Sequence, residues 1–94
     1  MGAAVVKIPT PLRLLTNGKD SATVKGGSLQ DVLQELNDQF PGLKERIVDA
    51  ASGELHRFVN IYVNGEDVRF LQGLRTTLKE GDEISIVPAV AGGL

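Results

Sequence analysis

Four sets of residues in the chain are of types that could take part in chemistry. His56 is the single histidine of a chain without cysteine. With no thiol to activate and no evident carboxylate to orient it, it lacks the partners of a nucleophile–base pair. One imidazole and scattered carboxylates also fall short of the three or four convergent ligands of a zinc site. His56 therefore reads as a solvated residue leading into a strand. The acidic pairs Glu66-Asp67 and Asp82-Glu83 follow Gly65 and Gly81, where short polar side chains hydrogen-bond the local backbone, so both read as turn chemistry. Lys25-Gly26-Gly27-Ser28 precedes a helix start and could hold an anion there. Its spacing matches neither a P-loop nor a dinucleotide fingerprint, which leaves a strand-to-helix connection. The fourth set is Pro88-Ala89-Val90-Ala91-Gly92-Gly93-Leu94, with no side chain larger than Val before the last residue and two adjacent glycines. A frayed end would have the same composition. A glycyl carboxyl at the tip of a thin, mobile tail, however, can thread a narrow partner site where a Cβ would clash. No intrinsic catalytic, cofactor-binding or metal-binding residue is expected.

The elements that must position this tail are legible from pattern. Ala3 to Ile8 is short and β-branched, and Pro9 and Pro11 stop it from continuing as a regular strand. Asn17-Gly18 favours a turn of positive φ, so that Ser21 to Val24 pairs back antiparallel, with Leu12 to Leu15 an irregular extension between them. Ser28 and Asp31 make a capping box at the head of a helix. Leu29, Val32, Leu33, Leu36 and Phe40 recur along one face of that helix, and Pro41-Gly42 ends it. Leu43 to Val48 suits a short further turn of helix and Asp49 to Glu54 a loop. Phe58 to Val63 alternates as a strand, Asn64-Gly65 turns, Asp67 to Phe70 suits a brief strand, and Glu83 to Val87 is the last strand. Strands on both sides of one main helix predict an α+β fold with a mixed sheet of four to five strands crossed by that helix. The first and last strands would lie parallel at its centre. Residues 1–88 form one domain and 89–94 a flexible tail.

Composition limits the partners. In 94 residues there is room for one core. The apolar fraction of 41% and charged fraction of 23% are those of a globular chain. Lysine plus arginine balance aspartate plus glutamate at six each in residues 1–50, and stand at four against six in 51–94. No basic half exists to neutralise phosphates, and few aromatics are available to stack on bases, so nucleic acid and anionic membranes are not expected partners. Absence of cysteine, of a signal-like N-terminus and of a run of about 20 apolar residues fits a cytoplasmic protein.

The end of the chain, Gly81-Asp82-Glu83-Ile84-Ser85-Ile86-Val87-Pro88-Ala89-Val90-Ala91-Gly92-Gly93, resembles that of the bacterial ubiquitin-like sulfur carriers, a group that includes the small subunit of molybdopterin synthase and the thiamine sulfur carrier. The resemblance spans nearly the whole chain. Within the group, His56-Arg57-Phe58-Val59-Asn60-Ile61-Tyr62-Val63-Asn64 with Glu66-Asp67-Val68-Arg69-Phe70 is similar to the carrier coupled to cysteine synthase. The resemblance implies a β-grasp domain that is a co-substrate and not an enzyme. Its Gly93 carboxyl would be adenylated by an ATP-dependent activating enzyme and converted with sulfide to a thiocarboxylate. That group would pass its sulfur to an aminoacrylate on a pyridoxal phosphate cysteine synthase, and a metal-dependent protease would release the cysteine. The small subunit of molybdopterin synthase and a lysine-conjugated protein modifier are the alternatives. Leu94 departs from the family's terminal Gly-Gly and is expected to be removed before activation.

Two structural expectations accompany this reading. Leu29, Val32, Leu33, Leu36, Val59, Ile61, Val63, Leu78, Ile84 and Ile86 should form the core between helix and sheet. Phe58, Tyr62 and Val87 should reach the opposite sheet surface near the tail, as anchors for partner enzymes.

Overall fold

The computed structural model describes residues 2–88. The readings placed on the tail 89–94, including Ala91, Gly92, Gly93 and Leu94, lie outside the described residues. The chain runs β1 (Gly2–Lys7), β2 (Ser21–Gly26), α1 (Leu29–Gln39), α2 (Leu43–Ile47), β3 (Val59–Val63), β4 (Glu66–Asp67) and β5 (Glu83–Pro88). Short 3-10 helices at Thr10–Thr16, Val68–Phe70 and Gly73–Arg75 fill the connections. The strands make one sheet in the order β2-β1-β5-β3-β4. Strand β5 lies at its centre, parallel to β1 and antiparallel to β3, and the two hairpins β1–β2 and β3–β4 complete the sides. This is the expected β-grasp arrangement. Among the described residues no helix is long and apolar enough to cross a membrane.

Local chemistry sets each boundary. Asn17 and Gly18 take the left-handed conformation in the first connection, as do Asn64 and Gly65 between β3 and β4; both Asn-Gly pairs turn the chain where twisted hairpins require positive φ. The Oγ of Ser28 accepts the Asp31 N–H at 3.3 Å, one of the N–H groups that a helix start leaves without an intrahelical partner. At the other end, Asn37 Oδ1 accepts both Gly42 N–H and Lys44 N–H at 3.1 Å. This joins α1 to α2 across a turn in which Gly42 has φ +96°.

Every residue of the expected core is buried. The helix contributes Leu29, Val32, Leu33 and Leu36 and its C-cap Phe40, and the sheet answers with Ala4, Val6, Val24, Val59, Ile61, Val63, Ile84 and Ile86. Leu43 and Ile47 of α2 and Val68 of the second 3-10 helix close the ends of this layer. The expected strand over Asp67 to Phe70 is corrected. Pairing stops at Asp67, because its Oδ1 accepts the Arg69 N–H at 2.8 Å and pulls the chain into the 3-10 turn Val68–Phe70.

Candidate functional site

Side chains alternate across a strand, so burial of the helix-facing set turns the rest of β1, β3 and β5 to the other surface. Register then fixes neighbours there: Tyr62 lies opposite Ser85, Asn60 opposite Val87, and Ser85 beside Lys7. Val87 is 42% exposed and Tyr62 half-buried. Lys7 Nζ is 3.3 Å from Glu83 Oε2 across the central strand pair, with both side chains largely in water, so the pair adds little to stability. Tyr62 and Val87 therefore share the outer face of the sheet, and Val87 is one residue from Pro88, the last described position.

Phe58 stands differently. Strand β3 begins one residue later, at Val59, so strand alternation does not govern where its ring goes. The ring stacks on His56, with centroids 5.2 Å apart and planes 7° from parallel, and is 56% exposed. It borders a recess of about 240 Å³ whose other apolar walls are Leu12, Val59, Ile86 and Pro88, with Glu45, Arg46 and His56 lining it as well. His56 Nε2 lies 3.0 Å from the Glu45 carbonyl, which ties the ring to the helical segment across the recess. The walls Val59 and Ile86 belong to the helix-facing set, so the recess opens at the end of the sheet. Neither Tyr62 nor Val87 borders it.

Arg69 holds this corner in place. Its guanidinium donates to the carbonyls of His56 (3.1 Å) and Val59 (2.8 Å) and to Asn60 Oδ1. Three acceptors on either side of Phe58 match the planar fork of donors that only arginine offers. Arg69 and the recess escaped the sequence reading as parts of one site. The acceptors lie 9 to 13 positions away, and no local period links them.

At the opposite end of β5, the Asn64 amide donates to Asp82 Oδ1 at 2.9 Å and its Oδ1 accepts the Glu83 N–H at 3.0 Å. Asp82 Oδ2 accepts the Lys79 N–H at 2.7 Å. The bond from Asn64, and then that from Lys79, hold the Asp82 carboxyl below its ordinary range. Asp82 is turn chemistry, as expected, and fixes the start of β5, whereas Glu83 is already a strand residue whose side chain faces Lys7. Lys25 and Gly26 end β2, and Gly27-Ser28 is the connection into α1. Residues 91–94, with Gly93 among them, lie outside the described residues.

Comparison with known proteins gives concordant results. The ThiS family model matches residues 6–93. The sulfur carrier protein CysO of Mycobacterium tuberculosis is 52% identical over 89 residues, 94% of this chain and 96% of that protein. In the crystal structure of the Amycolatopsis orientalis BexX/CysO complex, a chain 44% identical superposes with a TM-score of 0.90, covering 96% of this chain and 99% of the other. Small archaeal modifier protein 3 of Haloferax volcanii is 40% identical over 79% of this chain and 73% of its own length.

Proposed function

The chain belongs to the ThiS family and is a β-grasp sulfur carrier, and from that premise we propose that it supplies sulfur for cysteine biosynthesis through Gly93. The supporting observation is the 52% identity to a CysO carrier across almost the full length of both chains. A carboxylate is a poor acyl donor. In the activating enzyme, the Gly93 carboxylate attacks the α-phosphate of ATP, forming an acyl-adenylate and releasing pyrophosphate. Sulfide then displaces AMP at the glycyl carbon and leaves the thiocarboxylate. The thiocarboxylate sulfur forms a bond to an electrophilic carbon held by a pyridoxal phosphate cysteine synthase. A metal-dependent protease hydrolyses the bond after the Gly93 carbonyl, freeing cysteine and regenerating the carboxylate.

In this reading all catalysis belongs to partners, ATP and sulfide enter through the activating enzyme, and the domain itself holds no cofactor. It works in the cytoplasm. Any residue beyond Gly93, Leu94 included, must be removed first, because one added residue carries the carboxylate onward by about 3.3–3.6 Å. The same protease suits that task, since both bonds follow the same carbonyl. Tyr62 and Val87 on the outer sheet face serve as docking anchors for partners, together with Phe58.

The test gives the cognate activating enzyme, ATP and sulfide to the full sequence and to a form ending at Gly93, and reads both by intact-mass spectrometry. Thiocarboxylate should accumulate on the Gly93-terminated form and not on the form carrying Leu94. No product on either form would count against the carrier reading, and equal yields would remove the block assigned to Leu94. The likeness to a small archaeal modifier protein favours one second reading, in which Gly93 is joined to lysines of other proteins. Isopeptide-linked Gly93 remnants on lysines in cell extracts would identify that use.

A further inference from the structure

We propose that the recess beside Pro88 receives an apolar side chain from the rim of the enzyme channel that takes in the tail, and that Arg69 is the residue that positions Phe58 for this contact. The proposal rests on the carrier reading above and adds a second docking surface to the outer sheet face. Reach supplies the first argument. Five residue steps separate Pro88 from Gly93, so the reacting carbonyl lies at most about 18 Å from the domain even when the chain is fully extended. An enzyme that encloses Gly93 must therefore press against the surface around Pro88.

That surface has two sides. One is the outer sheet face with Val87. The other is the recess, whose walls Leu12, Phe58, Val59 and Ile86 meet Pro88 itself. At about 240 Å³ it falls below the roughly 300–1,000 Å³ of small-molecule sites, and five of its eight lining residues, Leu12, Phe58, Val59, Ile86 and Pro88, are apolar. A single aliphatic or aromatic side chain suits it, the arrangement by which interface anchors fill partner pockets. Glu45, Arg46 and His56, which also line it, would then meet polar groups of the same contact.

Arg69 makes this wall rigid. Phe58 is over half exposed, yet the backbone on both sides of it is pinned through the carbonyls of His56 and Val59, and its ring is backed by the His56 imidazole. A ring held before binding loses less freedom on contact, which is the benefit of preorganisation.

Activation kinetics of Gly93-terminated variants with the cognate adenylating enzyme provide the test. Phe58→Asp should raise KM for the carrier about tenfold or more with kcat little changed, as loss of an interface anchor does. Phe70→Asp, at an aromatic 88% exposed and outside the recess, should leave both constants within about twofold of wild type. Arg69→Met should raise KM in the wild-type background but not further in Phe58→Ala, a non-additivity that general loss of stability would not produce. As a second readout, a photoreactive benzoylphenylalanine at position 58 should cross-link to an apolar residue at the mouth of the enzyme's tail channel, and one at position 70 should not. An active wild-type carrier whose KM is unmoved by Phe58→Asp, or whose position-58 probe captures no residue of the enzyme, overturns the recess alone. Failure of the wild-type chain to be activated at all overturns the carrier reading and the recess with it.

Discussion

At Asp82 a carboxylate accepts hydrogen bonds from the Asn64 amide and the Lys79 backbone, and both bonds favour its charged form. Its folded pKa is lowered, so the stabilisation is fully present above the unfolded pKa and is lost as pH falls through the folded one. Asp82→Asn should therefore melt below wild type near neutral pH. The difference should shrink progressively below about pH 5 and vanish once the carboxyl is protonated in both states. Thermal melts of the two proteins across that range check this, and a gap independent of pH would assign the effect to shape and not to charge. The residue types at this corner were legible: turn glycines next to Asp and Glu announce local backbone bonding. Asn64 as the side chain that ties the β3–β4 turn to the start of β5, donating to Asp82 and accepting from Glu83, was not, because its partners are 18 and 19 positions away.

Between elements, the close approach of α1 to β2 explains Gly26 better than any need for unusual φ. A Cβ built there would sit 2.9 Å from Val32 Cγ2, 3.0 Å from Val32 N and 3.1 Å from Asp31 Cβ, whereas at Gly27 the nearest atom is 4.0 Å away. The helix backbone cannot yield without leaving its cap at Ser28. Gly26→Ala should cost about 1–3 kcal/mol, as overpacking does, and Gly27→Ala much less; chemical denaturation of the pair reads the contrast directly. On the buried face of the same helix, Leu33→Ala should cost about 2–5 kcal/mol, because Leu33 is 1% exposed within the layer between helix and sheet. An unchanged denaturation midpoint would refute its place in the core. Periodicity made the helix stripe and the sheet's inner face readable, since a 3.6-residue and a two-residue repeat each leave one apolar side. It failed at Asp67 to Phe70, where a side chain competing for backbone N–H groups ends the strand. At Phe58 the strand that enforces alternation has not yet begun.

On the scale of the whole molecule, the packed domain and the proposed site of chemistry at Gly93 are separate parts of the chain. All the buried apolar side chains of the described residues fall between Ala4 and Ile86, and central strand β5 is paired with β1 as far as Ser85 and with β3 as far as Pro88. If partners grip the domain around Pro88, the position of Gly93 in their active sites is set by the number of residues between the two. Inserting one alanine after Val90 keeps the Gly92-Gly93 terminus and its chemistry but moves the carboxylate by about 3.3–3.6 Å. A displacement of roughly 1 Å already costs about a hundredfold in rate. Adenylation of the inserted form, ended at Gly93, should therefore fall by about a hundredfold or more, while its melting temperature stays at the wild-type value. Replacing Val90 by alanine, which preserves length, should have a far smaller effect. Pyrophosphate release measured with the cognate activating enzyme separates these outcomes. An inserted form activated as fast as wild type would mean that the enzyme reads the terminal glycines alone and leaves the domain free, a result that would also remove the reach argument for docking at Pro88.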